Sequence, residues 1–411
     1  MHRRGCVIMF VILLAATLLA FGMWRLTRTL EPATVCLTHH ATIVRCAPIG
    51  SAHSRHRHIR ALCRGARRRV HVYASFIDLQ SARRMLDLAA DLTPGVLGCV
   101  YYEPRPMDPE SALIHQAMRG LAGSMRGHAL RRRAVCMSRF PYIQVASTHL
   151  KACIVDDTHY VVGSSNAITG TIFMHDPPPQ SDSCAEAEHL WLSPSFIDFD
   201  VSFTMSHAVP ELCEYLELLA QQRPWAERSL HMTFRDRNEF HVFPAGVLSR
   251  EGFLAALVDG AHVRVLIGAL SVWPTGGFRA ALVAAAQRGC VVTMVGSACA
   301  CSKSQRLLGR LNRCAAASYR GWRYREWTPE HGLIHAKFML LDDNVVLPSF
   351  NISHKAVGAS ADDELCLVLR GAAAAPARHA LEDMVRERTT SVVLEPDPLG
   401  NALLAMLNPL L

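Results

Sequence analysis

The pattern of apolar and polar positions predicts the same order of secondary-structure elements twice along the chain. An apolar run rich in β-forming residues at 70–76 precedes a helical pattern at 81–92 and a second apolar run at 96–102. The same order of elements recurs later in the chain, at 263–270, 278–288 and 290–295. Strand, helix and strand in succession are typical of βαβ units and of a largely parallel sheet. The sequence therefore predicts an α/β fold made of two sequence-related halves.

The N-terminal segment has a different pattern. An uncharged apolar run at 6–24 stands between Arg4 and Arg25, and it is long enough for about 30 Å of helix. We interpret it as the anchor of a single-pass type II membrane protein. The bulk of the chain would then face the exterior or the lumen of the secretory or endolysosomal pathway. A cleaved signal peptide is the alternative, but the run is long and no small-x-small cleavage site follows it.

These patterns divide the chain into a membrane anchor at 1–28, a first half at 29–230 and a second half at 231–411. Of all residues, 50% are apolar and 19% are charged, which is typical of a globular protein and excludes a disordered or fibrous one. The net charge of +8 favours anionic partners, including phosphodiesters and anionic lipid surfaces. A basic protein that binds no polyanion would have the same charge.

The chain contains 14 cysteines. In an oxidising compartment several of them could pair, but the sequence leaves the connectivity open. No group of cysteines and histidines has the spacing of a zinc site. We therefore expect no metal and no cofactor.

Each half carries one copy of a longer motif, His-x-Lys-x4-Asp followed by a small-residue turn that ends in Asn. The members of the first copy are His149, Lys151, Asp156 and Asn166. The members of the second copy are His335, Lys337, Asp342 and Asn351. A His and a Lys two positions apart on a strand point to the same face, so both side chains can reach one bound phosphate. Because the motif occurs twice at equivalent positions of two repeats, we interpret it as a paired catalytic site.

Both motifs resemble the HKD signatures of the phospholipase D superfamily, and the first, HLKACIVDDTHYVVGSSN, matches them in full. More narrowly, the chain resembles the single-pass type II membrane branch, which includes lysosomal 5′ exonucleases and poxviral phospholipase-D-like proteins. It shares with that branch the N-terminal anchor and the Asp-x-Thr-His after the first motif. The resemblance covers 36–390 and departs from the family at Pro348 and Phe350, where Gly and a small residue are usual. It implies a phospholipase-D-like pseudo-dimer whose two halves share one active site.

The resemblance also implies a two-step displacement at phosphorus. His149 attacks as the nucleophile and forms a phosphohistidine, while His335 is the general acid and base; the reverse assignment stays open. The lysines and asparagines of both motifs would hold the non-bridging oxygens and stabilise the charge that grows in the transition state. Asp156 and Asp342 would orient the histidines directly, or would place them indirectly through the fold.

Four further residues are candidate substrate-binding or positioning groups: Ser164, Ser349, Glu188 and Glu364. The serines stand in the small-residue turns of the two motifs. Family members carry a histidine-orienting acid in the region of the two glutamates, and a solvated glutamate at the start of a strand is the alternative. The arginine runs at 67–69 and 131–133 are more typical of solvated faces than of a path for an anionic substrate.

Three functions are compatible with these features. The resemblance favours a metal-independent phosphodiesterase that acts on single-stranded DNA or RNA, as a 5′ exonuclease or a nickase. The first alternative is phospholipase D or transphosphatidylase activity on phospholipids, which suits an anchored, basic protein. The second is a non-enzymatic membrane-trafficking or envelope protein, against which two intact motifs argue. The partners expected are thus a membrane, a phosphodiester substrate and, in a homodimer, a second copy of the chain.

Overall fold

The structure, a computed structural model, describes residues 34–49, 52–74, 88, 91–93, 95–102, 131–134, 147–165, 196–220, 228–245, 249–297, 303–317, 321–328, 333–352, 362–395 and 397–407. The apolar run at 6–24, interpreted as a membrane anchor, lies outside these ranges, as does most of the helical pattern at 81–92. Within the described ranges, no helix combines the length and the apolar character that a membrane crossing needs.

The strands of the described residues are, in chain order, β1 Val35–His39, β2 Ile43–Ile49, β3 Arg69–Ala74, β4 Leu97–Tyr102, β5 Arg131–Ala134, β6 Ser147–Thr148, β7 Ala152–Val155, β8 His159–Gly163, β9 Phe196–Ile197, β10 Asp200–Met205, β11 Leu230–Phe234, β12 Glu239–Phe243, β13 Arg264–Gly268, β14 Val291–Ser297, β15 Arg323–Trp327, β16 Leu333–Ile334, β17 Phe338–Leu341, β18 Asn344–Pro348, β19 Asp362–Leu369 and β20 Thr389–Val392. The helices are α1 Ala52–Gly65, α2 Pro210–Ala220, α3 Ser249–Asp259, α4 Gly276–Gln287, α5 Lys303–Ala317, α6 Gly371–Arg388 and α7 Pro398–Leu407. The elements predicted at 70–76, 96–102, 263–270, 278–288 and 290–295 are confirmed as β3, β4, β13, α4 and β14.

The strands form two large sheets whose central parts have the same order. One sheet has the order β2-β10-β8-β7-β3-β4-β5, and the other contains the matching series β12-β19-β18-β17-β13-β14-β15. The predicted α/β class is confirmed. The expectation of largely parallel sheets is wrong, because β3 pairs with β7, and β7 with β8, in antiparallel fashion. A tight turn joins β7 to β8, and a connection that short permits only an antiparallel pair.

Side chains from both sheets form a shared hydrophobic core. Ile154 and Phe203 of the first half belong to the same buried cluster as Phe338 and Leu367 of the second half. All four residues of β7 and all four residues of β17 are buried. Continuous apolar strands of this kind are typical of sheets covered on both faces. The strands that follow the two motif lysines therefore lie at the contact between the halves.

Two short strand pairs connect the halves next to the motifs. β6, which precedes His149, pairs in parallel with β19 of the second half, and β16, which precedes His335, pairs with β9 of the first half. The backbone N–H of His149 donates to the carbonyl of Asp363, and that of His335 to the carbonyl of Ile197, both at 2.9 Å. Each motif is therefore held by main-chain hydrogen bonds to the opposite half.

Candidate active site

The imidazole of each motif histidine is hydrogen-bonded to a carboxylate of the opposite half. Nδ1 of His149 lies 2.9 Å from Oε2 of Glu364, and Nδ1 of His335 lies 2.6 Å from Oδ1 of Asp198. A carboxylate at Nδ1 favours the tautomer that carries its proton there and leaves Nε2 as the reactive nitrogen. The two histidines are thus oriented reciprocally, each by an acid from the other half.

Two serines hold the orienting carboxylates in place. The hydroxyl of Ser164 donates to Oδ1 of Asp198 at 2.8 Å, and the hydroxyl of Ser349 donates to Oε2 of Glu364. Each hydroxyl oxygen also accepts the backbone N–H of the residue that follows the acid, at 2.9 Å in both halves. The structure therefore places these serines, which the sequence suggested as substrate-binding groups, against the carboxylates.

The two motif lysines are buried almost completely. Nζ of Lys151 donates to the carbonyl of His149 at 3.0 Å, and Nζ of Lys337 donates to the carbonyl of His335 at 2.8 Å. Burial lowers the pKa of Lys151 to about 7 and that of Lys337 to about 8, against the opposing effect of nearby carboxylates. Because a buried ammonium group is poorly solvated, binding of an anion next to it is favoured. The pair of lysines is suited to hold a phosphate group.

Burial and the lysines favour the neutral form of both histidines. Burial first, and then the charges of Lys151 and Lys337, hold the pKa of His149 well below its ordinary value. Burial and Lys337 lower the pKa of His335 to about 4, although Asp198 acts in the opposite direction. The side chain of His149 is 26% exposed and that of His335 is 11% exposed. No hydrogen bond from a described residue occupies Nε2 of His149, so this nitrogen is free to attack.

Neither motif aspartate is hydrogen-bonded to a motif histidine. The carboxylate of Asp156 accepts the backbone N–H groups of 67–69 at 2.8 to 3.0 Å, and that of Asp342 accepts those of 262–264 at 2.8 to 2.9 Å. Both aspartates have a positive φ, 54° and 52°, in the turn after the motif strand. This left-handed turn directs the carboxylate towards the start of the neighbouring strand. Direct orientation of the histidines is therefore wrong, and the aspartates act through the fold.

The small-residue turn of the second motif still holds Glu364 through Ser349, despite the departures from the family pattern at Pro348 and Phe350. Pro348 is the last residue of β18, and the backbone N–H of Ser349 still donates to a main-chain carbonyl at 2.8 Å. Phe350 is fully buried and packs edge-on against Phe243, with the ring centroids 6.3 Å apart. The phenylalanine therefore extends the core, and the serine beside it remains in place to hold Glu364.

Arg250, in the first turn of α3, supplies a buried positive charge near Glu364. Its guanidinium carbon lies 5.9 Å from the ring centroids of both Phe243 and Phe350. Burial raises the pKa of Glu364 to about 7, and the charges of Arg250 and Lys151 oppose this rise. Arg250 thus favours the carboxylate form of Glu364, the form that can accept the proton of an imidazole N–H.

Of the two motif asparagines, Asn351 belongs to the part of the chain that the structure describes, whereas Asn166 lies outside it. Oδ1 of Asn351 is buried and has no hydrogen-bond partner among the described residues. Buried polar atoms without a partner are uncommon in folded proteins. The amide is therefore available to a ligand, as its predicted role requires.

Asp198 is the functional residue that the sequence reasoning missed. The sequence suggests Glu188 as the histidine-orienting acid of the first half, and this residue lies outside the described residues. A signal was present, because Asp198 stands two residues before the start of β10 while Glu364 stands near the start of the matching strand β19. In both halves the next residue donates its N–H to the serine of the motif turn. Alignment of the two strands by this feature identifies Asp198.

Comparison with known proteins gives one family match and several structural likenesses. Residues 254–384, which include the second motif, match the family model described as "Cardiolipin synthase, PLD-like domain". The chain is similar to phosphatidylserine synthase from Haemophilus influenzae Rd KW20, with 11% identity and a TM-score of 0.64 over 90% of this chain and 94% of that chain. It is also similar to polyphosphate kinase from Porphyromonas gingivalis, with 10% identity and a TM-score of 0.51 over 88% of this chain and 54% of that chain. A search of curated proteins gives no match.

These comparisons show a phospholipase-D-like domain in the second half and the fold of the synthase across most of the chain. At identities this low the likeness concerns the fold alone. The fold thus agrees with the superfamily expected from the two motifs, and the site residues remain the basis for any statement about activity.

Proposed function

We propose that this chain is a phosphodiesterase of the phospholipase D superfamily that acts on phospholipids through a phosphohistidine intermediate. The observation that carries the proposal is the reciprocal pairing of His149 with Glu364 and of His335 with Asp198. Two oriented imidazoles beside two buried lysines provide a nucleophile, a general acid and positive charge in one place. The two halves would then form the pseudo-dimer that the motifs imply.

In the first step, Nε2 of His149 attacks phosphorus while the bond from phosphorus to the leaving oxygen breaks. Protonated His335 donates its proton to that oxygen, and the phosphoryl group stays on His149. In the second step, His335 takes a proton from water or from an alcohol, whose oxygen displaces the histidine. The greater exposure of His149 supports this assignment of roles. Lys151 and Lys337 would stabilise the charge on the non-bridging oxygens.

Two observations favour a phospholipid over a nucleic acid as the substrate. The matched family model is named for cardiolipin synthase, and the structure with the TM-score of 0.64 is a phosphatidylserine synthase. Both names describe enzymes of phospholipid synthesis. An anchor at 6–24 would keep the site next to a membrane surface, in a lumen or at the exterior. Single-stranded nucleic acid, which the sequence resemblance favoured, becomes the competing substrate.

The test compares the two substrates with one enzyme preparation. The full chain in mixed detergent–lipid micelles is incubated with headgroup-labelled phosphatidylcholine and phosphatidylglycerol, and separately with 5′-labelled single-stranded DNA. His149→Ala removes the proposed nucleophile, and His379→Ala, an exposed histidine on α6, is the matched control. Headgroup release that the first variant loses and the second keeps supports the proposal.

DNA cleavage without lipid turnover would overturn the choice of substrate and would leave the site assignment intact. Lipid turnover that survives in His149→Ala would overturn the site assignment. Absence of both reactions in folded protein would favour the non-enzymatic alternative.

A further inference from the structure

A second cluster of chemically active side chains lies outside the catalytic site, on the hairpin formed by β11 and β12. His231 and His241 are directly opposite each other in the antiparallel register, and Glu239 is two residues before His241 on the same strand. Because side chains alternate along a strand, all three point to the same face of the sheet. Their ligand atoms lie within 4.8 Å of one another.

The positions of these atoms match the separation that a metal ion requires. Oε2 of Glu239 lies 2.9 Å from Nε2 of His241 and 3.5 Å from Nε2 of His231. Two ligand atoms that bind zinc at tetrahedral angles are about 3.3 Å apart, given metal–ligand distances of about 2.0–2.1 Å. The two imidazole rings stack with their centroids 4.1 Å apart. Only small shifts would separate these atoms to admit an ion between them.

Arg370 binds one carboxylate oxygen of Glu239, and the other oxygen faces the histidines and could bind a metal ion. Arg370 donates to Oε1 at 2.7 Å, on the side away from the histidines, and its own backbone N–H is held by Asn238. Outer partners of this kind fix the orientation of a metal-binding carboxylate. His241 is buried, whereas the side chain of His231 is 34% exposed, so the cluster can be reached from solvent.

We propose that His231, Glu239 and His241 bind a divalent transition-metal ion, with zinc as the best fit. Two imidazole nitrogens and one carboxylate oxygen form a common zinc ligand set, which leaves a fourth position for water. This site is separate from the phosphodiesterase site and does not depend on the proposed function. It departs from the expectation, drawn from the sequence, that the chain holds no metal.

The location indicates what a bound ion would do. β12 pairs with β19. Phe243 lies two residues after His241 on the same face of β12, and it stands opposite Glu364. The ion would therefore cross-link β11 to β12, the strand that pairs with the strand carrying the acid of His149. Its expected contribution is to the stability of this edge of the sheet, because metal binding to the folded form alone stabilises it.

The test is zinc titration of the full chain after removal of metals with a chelator, followed by calorimetry and metal analysis. We expect one tight equivalent of zinc and a rise in the melting temperature. His231→Gln and Glu239→Gln should weaken binding by about 100-fold or more, since each removes a direct ligand. His40→Ala, in a different group of histidines, should bind as the unmodified chain does.

Cobalt(II) provides an independent readout, because its absorption spectrum distinguishes imidazole and carboxylate ligands from thiolates. A thiolate is close by, because the exposed Cys36 stands opposite His231 in the register of β1 and β11. Bands typical of nitrogen and oxygen ligands that disappear in His231→Gln would support the site. Absence of a tight equivalent, unchanged affinity in both variants, or a thiolate charge-transfer band that persists in them would overturn it. His231 is partly exposed, so its variant should remain folded.

Discussion

Nδ1 of His149 lies 2.9 Å from Oε2 of Glu364, a residue 215 positions further along the chain. The pairing is matched by His335 and Asp198, which are 137 positions apart. Each half thus supplies a reactive histidine and the acid that orients the histidine of the other half. Among the described residues, each motif histidine thus finds its acid in the opposite half and not in its own.

Replacement of the proposed nucleophile should abolish turnover. In His149→Ala we expect activity on the preferred phosphodiester to fall by about 1,000-fold or more, because no other described imidazole has an exposed Nε2 in this position. Steady-state kinetics and base-stable, acid-labile labelling of the protein by a phosphorus-labelled substrate provide the measurement. A labelled phosphohistidine in the unmodified chain that persists in His149→Ala would place the nucleophile elsewhere.

Removal of an orienting acid should reduce the rate more than the binding of substrate. For Glu364→Gln and Asp198→Asn we expect kcat to fall by about 100-fold to 10,000-fold, with KM nearly unchanged, because the lysines that bind phosphate remain. The control is Glu382→Gln, which removes the carboxylate of an ion pair with Arg264. A change in KM alone would show that these carboxylates contribute to binding and not to orientation.

The pH profile should have its maximum on the acidic side of neutrality. His335 must carry a proton, and burial lowers its pKa to about 4, so the protonated fraction falls as pH rises. Glu364 must be ionised, and burial raises its pKa to about 7, so the ionised fraction increases with pH. Between these values the two changes compensate, and kcat/KM should decline below and above that range. The lowered pKa of Lys151, about 7, adds to the decline at high pH. An optimum well above neutral pH would contradict the assignment.

Loss of a motif aspartate should destabilise the fold. Asp156→Ala leaves three backbone N–H groups of 67–69 without their acceptor, and we expect the free energy of unfolding to fall by about 2 kcal/mol or more. The measurement is urea unfolding, with Asp343→Ala at an exposed position as the control. Activity per folded molecule should stay close to that of the unmodified chain. A large loss of kcat at full stability would restore a direct role in catalysis.

The unusual phenylalanine of the second motif should matter for stability. Phe350→Ser introduces the residue type found at Ser165, the matching position of the first half. Because Phe350 is fully buried between Phe243 and Arg250, we expect a loss of about 3 kcal/mol or more in the free energy of unfolding. Thermal and urea unfolding provide the test. An unchanged stability would show that the core can refill this space.

The sequence alone was sufficient for features that depend on local pattern. The repeated order of strands and helices, and the positions of β3, β4, β13 and β14, follow from apolar periodicity, which reflects burial of one chain segment at a time. The closeness of His149 to Lys151, and of His335 to Lys337, follows from their spacing along the chain. The expectation that each pair lies on a strand is wrong, because both pairs lie in the short links between β6 and β7 and between β16 and β17. These features need no knowledge of distant contacts.

The tertiary structure decided everything that depends on which segments meet. The antiparallel placement of β7 beside β3 is a contact between distant segments of the chain. The role of Asp156 depends on the left-handed turn that follows β7. Asp198 reaches His335 only because β9 and β16 pair across the halves. The His231, Glu239 and His241 cluster likewise depends on the register of a hairpin. The packing of two sheets around one core determines which residues far apart in sequence come into contact. The order of apolar and polar residues along the chain does not show that packing directly.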